Sequence, residues 1–462
     1  MRLLKSLVVA LLLFSSTADA AEPLVPGEAE HALRAWLAAF NDGDGDALAA
    51  FREKYRMRAD AKGDLEFREE TGELRVLEVV ASTPGKVQML LLPSANDRVM
   101  LVTATLDPDK RSAAFAFEGA QTPAKYQPRR MAMVDVLDAA RTRLDTLQAA
   151  GDLGGVFLVA RQGNVQMVWH GGHADREQGL AVARATRFRL ASLNKMFTAV
   201  SILQLQEAGK LSLDDTLAKH LPRYPNPAVA GAITLRQLLN HTSGLGDIFG
   251  DKATSNADSL RTLQDYWAVF GKEPVAFTPG SRDQYSNYAF ILLGSVIEAV
   301  SGQSYYDYVD EHIYRVAGMG ATGSEPESMP VVGRAKPYTK VDGRWTVESA
   351  SLPWRGTSAG GGYSTVDDML AFGEALRAGK LLSPASLAAA TSPQNHKAWY
   401  GYGFMVRGEG RDRLYGHEGG APGANAVFYV MPAQGYVLVG LSNVDPEAMG
   451  NVVNFVANRL PL

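Results

Sequence analysis

The segment "RFRLASLNKMFTAV" (residues 187–200) sets a serine three residues ahead of a lysine, where a polar stretch passes into an apolar one. From Leu193 onward, Met196, Phe197, Val200, Ile202, Leu203 and Leu205 wrap most of a helix's circumference. A helix that is apolar all round is a buried one. Burial gives Lys195 its meaning, because an ammonium taken from water is costly unless paired, or else its pKa falls. Ser192 and Lys195 stand at i and i+3, on one face and within reach of each other. A lysine that gives up its proton readily is an activating base for a neighbouring serine. The helix N-terminus adds backbone N–H groups and partial positive charge, which suit a developing oxyanion. Taken alone, Ser-x-x-Lys arises by chance in many long chains. A capping serine beside a snorkelling lysine is then the ordinary reading.

Two further segments change that weighting. "PGSRDQYSNYAFILLGSVIEAVSG" (279–302) places Tyr285-Ser286-Asn287 after a Pro-Gly turn and directly before a second apolar helix. "RLYGHEGGAPG" (413–423) places His417-Glu418-Gly419 near the end of a predicted strand, with Gly420 next. Glycines there let backbone approach a ligand closely. The order Ser-x-x-Lys, Tyr-x-Asn, then basic-x-Gly on a strand resembles the penicillin-recognising serine hydrolases. That group includes class C β-lactamase-like enzymes, D-alanyl-D-alanine carboxypeptidases, family VIII-type esterases and D-amino-acid amidases. The segments "ITLRQLLNHTSGL" (233–245), "YSNYAFILLGSVIEAVSGQSYYDYV" (285–309) and "SAGGGYSTVDDMLAF" (358–372) are similar to phrases of the same group, in the same order.

The resemblance covers about 131–462 and implies an α+β, β-lactamase/transpeptidase-like domain, an antiparallel sheet flanked by helices plus a helical subdomain. It implies Ser192 as the acylated nucleophile and Lys195 as its proton acceptor. Tyr285 would be a second base or the acid for the leaving group. Asn287 would donate to a substrate amide or hold Lys195, and His417 would fill the basic position of the third motif. The oxyanion hole and substrate strand would come from Ser192, Gly419 and Gly420. No cofactor or metal is implied, and the partner is a small-molecule or peptide substrate with an ester, amide or lactam bond. The third motif departs from the usual Lys-Thr-Gly. A neutral imidazole at His417 attracts a substrate carboxylate less than lysine does. Glu418, if it faces the site, disfavours anionic substrates, unless strand alternation turns it away. Esterase, amidase or peptidase work on neutral or cationic ends is therefore expected ahead of carboxypeptidase or β-lactamase work. A non-catalytic penicillin-binding-type sensor or binding protein is the alternative from another class.

The rest of the chain frames this block. "GVFLVA" and "VQMVWH" flank the turn Arg161–Asn164, and "ANAVFYVMPAQGYVLVGLSN" gives a second hairpin followed by a terminal helix. A sheet built from both ends of the block, with helices inserted between, is the expectation. Ahead of it, "HALRAWLAAF" and "ALAAFREKY" read as helices, and "DLEFREE", "LRVLEVVAST", "KVQMLLLPS", "RVMLVTATLD" and "SAAFAFEG" as strands. These predict a small α+β accessory domain over 21–120 that resembles cone-shaped NTF2-like domains, joined by a polar linker at 121–130. Asp42, Asp44 and Asp46, with Glu53 beyond, resemble part of a calcium loop, but Ala47 stands where its sharp turn needs glycine. A solvated turn before a helix is the ordinary reading. His170 and His173 lack a third ligand nearby, and His241 in "NHTSGL" is expected to brace a loop.

Arg2, Lys5, the apolar run Leu7–Phe14 and Ala18-Asp19-Ala20 read as a cleaved leader over 1–20. With it goes a periplasmic or secreted setting, and no stable membrane span after cleavage. The chain has no cysteine, so its stability must come from its core. With 462 residues, 46% of them hydrophobic, that core can be large. A net charge of −4 argues against nucleic acid as the main partner.

Overall fold

The computed structural model describes residues 27–57, 61–107, 112–348 and 352–462. The expected leader at 1–20 lies outside the described residues. The chain divides into two units between Gln127 and Pro128.

In the first unit, helices α1 (Glu28–Asp42), α2 (Gly45–Lys54) and α3 (Ala61–Thr71) precede a four-stranded antiparallel meander. Its strands are β1 (Leu74–Thr83), β2 (Lys86–Pro93), β3 (Met100–Asp107) and β4 (Ser112–Gly119). Helix α1 buries Leu33, Trp36, Leu37 and Phe40, the three- and four-residue spacing of one helical face. On β2 the alternate residues Val87, Met89 and Leu91 are buried and join the same core. The segment "DLEFREE" is not the expected strand but part of α3. Its leucine, glutamates and arginine favour a helix, and Asp64 pairs there with the buried Arg52 of α2. Asp44 of the acidic cluster caps α2, accepting from the Asp46 and Ala47 backbone N–H groups at 3.0 and 2.9 Å. The stretch read as a linker is divided between the units. The Tyr126 hydroxyl donates to Leu77 O in the first (2.7 Å), and Arg130 donates to Ala457 O in the second (2.7 Å).

The second unit is organised by a six-stranded antiparallel sheet. Its strands are β5 (Gly155–Arg161), β6 (Asn164–Gly171), β7 (Met405–Arg407), β8 (Leu414–Ala421), β9 (Ala424–Met431) and β10 (Tyr436–Ser442). The spatial order is β7-β8-β9-β10-β5-β6, so the two ends of the block meet where β10 pairs with β5. Alternation assigns each face a core. Val156, Leu158 and Ala160 of β5 face the helical region, and Phe157 and Val159 face the other way. On that second face lie α4 (Met133–Ala149) and the terminal α8 (Ala448–Arg459). Between the strand groups the chain inserts α5 (Asn194–Glu207), α6 (Asn287–Ser301) and α7 (Val366–Arg377). Helix α5 is buried from Asn194 through Leu203, as its all-round apolar pattern requires. Among the described residues, no helix is long and apolar enough to cross a membrane.

One detail of the sheet leaves part of an edge open. Strand β7 pairs only with Leu414, Tyr415 and Gly416 of β8. From His417 onward, that edge of β8 has no strand beside it among the described residues.

Candidate active site

Ser192 lies in a single 3₁₀ turn, Ala191–Leu193, that runs into α5. Ala191 adopts φ 46°, a left-handed conformation that a residue with a Cβ seldom takes. Its surroundings hold it there: Gly361 N–H donates to Ala191 O (3.0 Å) and Leu193 N–H to Leu190 O (3.1 Å). Local strain of this kind gathers at functional turns. The result is a half-buried serine above a lysine with no exposed surface.

The Lys195 Nζ is 3.1 Å from Ser192 Oγ, 2.7 Å from Asn287 Oδ1, and bonded to the backbone carbonyl of Ala359. The Asn287 amide is oriented by its far side, where Nδ2 donates to both carboxylate oxygens of Asp247 at 2.9 and 3.1 Å. Its Oδ1 must therefore face the amine. Burial pulls the Lys195 pKa down to about 7, against the nearby Asp247 carboxylate, which raises it. A neutral amine has two N–H groups and one lone pair. Asn287 Oδ1 and Ala359 O can only accept, so they take the two N–H groups. The lone pair is left for the Ser192 hydroxyl. This is the arrangement of a base poised on a nucleophile.

Tyr285 joins from the loop before α6. Burial raises its hydroxyl's pKa well above a free phenol's, against the nearby Ser192 side chain, which lowers it, so it is neutral near pH 7. The Lys195 Nζ lies 4.8 Å from the centre of its ring. Helix α6 begins with Ser286 as its cap, accepting from Ala289 N–H at 3.1 Å, which presents Tyr285 and Asn287 on either side. His241 braces this loop as expected. Its carbonyl accepts from Gln284 N–H (2.8 Å), its Nδ1 from Ser286 N–H (3.2 Å), and its ring centre lies 4.2 Å from that of Tyr285. The tyrosine is thus held on both flanks by one residue. His241→Ala leaves the buried Ser286 N–H unpaired at a cost of about 1–3 kcal/mol. His241 itself sits at φ 62°, which asparagine tolerates, and an asparagine Oδ1 can replace Nδ1 as acceptor. The expected order of kcat is wild type, then His241→Asn, then His241→Ala, checked on one ester with circular dichroism of each variant.

The third motif lies on β8 as expected, with His417 buried. The His417 Nδ1 lies 2.6 Å from Glu418 O, a carbonyl, so Nδ1 carries the proton. Nε2 is then an acceptor and receives the Tyr400 hydroxyl at 2.8 Å. Burial, with the Lys195 charge adding to it, pulls the His417 pKa down to about 3. His417 is therefore a neutral residue whose one N–H is spent on its own strand.

Glu418 is corrected as a specificity residue. Alternation turns it to the opposite face, where its carboxylate receives the Tyr429 hydroxyl and the Asn454 amide of α8 (3.2 Å). Glu418→Ala should cost about 1–3 kcal/mol of stability. It should leave the preference between charged and neutral substrates as it was, measured as the ratio of their kcat/KM values.

The two motif glycines differ in direction. A Cβ on Gly419 would lie 2.4 Å from Leu190 O and 3.0 Å from Ser192 N, whereas one on Gly420 would meet Pro446 Cγ at 3.0 Å. Only a glycine at 419 lets β8 pass this close to the serine turn.

The structure thus brings Ser192, Lys195, Tyr285, Asn287, His417 and Gly419 into one site. It adds three groups that the motifs did not name. Asp247 lies two residues past the "HTSGL" segment. The Ala359 carbonyl belongs to "SAGGGYS", in which Gly360 packs against Ala191 and the Gly361 N–H donates to its carbonyl. Tyr400 comes from the "WY" pair at 399–400, for which the sequence carries no signal.

A family model described as Beta-lactamase matches residues 141–460. Esterase EstB of Burkholderia gladioli is 32% identical over 314 residues, spanning 59% of this chain and 79% of that protein. A penicillin binding protein from Bacillus halodurans superposes with a TM-score of 0.62 at 32% identity, covering 67% of this chain and 97% of that one. A D-stereospecific amidohydrolase from Streptomyces sp. superposes with a TM-score of 0.58 at 28% identity, covering 68% and 96%. The family match over residues 141–460, on a site with a buried lysine bonded to an accessible serine, places the chain in the β-lactamase family of serine hydrolases.

Proposed function

We propose that the protein is an exported serine hydrolase that cleaves ester or amide bonds through an acyl-enzyme on Ser192. The observation that carries this reading is the hydrogen-bond accounting at Lys195, which leaves one lone pair for the Ser192 hydroxyl. Ser192 Oγ attacks the substrate carbonyl and passes its proton to Lys195. The proton returns to the departing alcohol or amine by way of the Tyr285 hydroxyl, and water then attacks the ester and frees the serine. A neutral phenol suits a proton donor more than a base, which favours Lys195 for acylation. The Ser192 N–H and the backbone of β8 from Gly419 to Gly420 supply the oxyanion hole.

The third motif bears on substrate class. Carboxypeptidase and β-lactamase substrates end in a carboxylate, which a lysine or a free N–H would recognise. His417 offers neither, since it is neutral and its N–H is taken. Esterase or amidase work is therefore favoured over both. The relatives named for esterase and D-stereospecific amidohydrolase activity support this class. A panel of a p-nitrophenyl ester, a D-amino amide, a D-alanyl-D-alanine peptide and a penicillin tests it. Ser192-dependent turnover of the ester or the amide is expected to exceed that of the other two. Faster turnover of the penicillin would overturn the assignment.

A further inference from the structure

Once the site is in its reactive state, its charges can be counted. Lys195 is then neutral, and so are Tyr285, His241 and His417. Glu418 faces the other side of the sheet. Asp247 adds a carboxylate to this set, and among the described residues no lysine, arginine or histidine forms a salt bridge with it. Its partners are the Asn287 amide and the Ile248 backbone N–H at 2.7 Å. The segment is fixed at the cleft, because Ser286 Oγ donates to Gly246 O at 2.7 Å. Asp247 itself is exposed, and Phe249, two residues on, is 71% exposed. The site therefore carries an accessible anion one amide away from the catalytic lysine.

We propose that Asp247 is a specificity-determining residue that selects substrates bearing a positively charged group next to the scissile ester or amide. The proposal rests on the serine-hydrolase reading above and narrows its substrate class. The physical basis is charge complementarity: an incoming ammonium finds a carboxylate that no described lysine, arginine or histidine pairs with, while an incoming carboxylate meets repulsion.

The test uses pairs of esters that match in shape and differ only in charge. One pair is acetylcholine and 3,3-dimethylbutyl acetate, with the charge in the leaving alcohol. The other is the p-nitrophenyl esters of trimethylammonioacetic acid and 3,3-dimethylbutanoic acid, with the charge in the acyl group. For each pair, the ratio of kcat/KM for the charged ester to that for the neutral one is measured in wild type and in Asp247→Asn. Asparagine keeps an oxygen for the Asn287 amide. Any effect of the substitution on Lys195 reaches both esters of a pair and cancels in the ratio. In at least one pair the ratio is expected to fall about fivefold in the variant, the upper range for an exposed ion pair. In wild type the same ratio is expected to fall as salt rises from about 0.05 to about 0.5 M, with no fall in Asp247→Asn. Ratios unchanged by the substitution in both pairs would overturn the proposal while leaving the hydrolase reading intact. Absence of Ser192-dependent turnover of all four esters would overturn the hydrolase reading itself.

Discussion

Lys195→Met is expected to fold and to lose about 10³-fold in kcat/KM, within the range that a positioned general base contributes. The substitution keeps an apolar stem of similar length in a site with no exposed surface, so the packing of α5 survives. Two carbonyl acceptors, Asn287 Oδ1 and Ala359 O, lose their donor. Relief of the buried amine's desolvation offsets part of that cost. A thermal midpoint within about 5 °C of wild type is expected. The pH dependence supplies the sharper reading. The folded pKa of Lys195 is lowered from 10.5 to about 7, and the reactive form is the unprotonated one. Activity therefore rises with pH through about 7 and then levels. At pH 6 about a tenth of the plateau remains for a single group titrating near 7. A profile of kcat/KM from about pH 5 to 9 on one neutral ester measures this. A midpoint close to that of an ordinary lysine, or a Lys195→Met variant that keeps the wild-type rate, would contradict the assignment.

The second large effect is expected at Gly419. The contacts that a Cβ would make there, Leu190 O at 2.4 Å and Ser192 N at 3.0 Å, are both backbone atoms that no rotamer change can move. Gly419→Ala must displace either β8 or the Ala191–Leu193 turn, and a displacement of about 1 Å at a reacting centre costs about 100-fold in rate. Gly420→Ala is the internal control. Its Cβ meets the Pro446 ring at 3.0 Å, on the side away from Ser192. The expected result is a loss of about 100-fold in kcat/KM for Gly419→Ala and a much smaller loss for Gly420→Ala, with unchanged far-ultraviolet circular dichroism in both. Equal losses in the two variants would show that β8 does not pass this close to the serine.

Part of this site is legible in the amino-acid sequence itself. Ser192 and Lys195 are recognisable because they stand at i and i+3 on a helix whose apolar pattern buries the lysine, and Tyr285 and Asn287 because their motif resembles that of the penicillin-recognising serine hydrolases. The sheet built from both ends of the block follows from two clear hairpins, and the pairing of β10 with β5 joins them. What local sequence does not carry is direction and distant contact. Nothing near Glu418 says which face of its strand it occupies until Tyr429 and Asn454 are placed beside it. The Ala359 carbonyl is a backbone group, and its role depends on a chain segment folding back from 164 residues away. Asp247 is an ordinary loop acid by sequence, and its importance comes from the Asn287 amide it orients. The segment "DLEFREE" shows a different failure. Its alternation suggests a strand, while its helix-forming residues and the Asp64–Arg52 pair select a helix.

The central claim is that Ser192 is the residue that becomes acylated. Its most direct test is to treat the whole protein with a fluorophosphonate serine probe and read the adduct by intact-mass and peptide mass spectrometry. One probe per chain is predicted, on the peptide containing Ser192, formed more slowly below about pH 7 as Lys195 takes up its proton. Ser192→Ala should carry none. Stoichiometric labelling on another residue, or equal labelling of Ser192→Ala, would contradict the account.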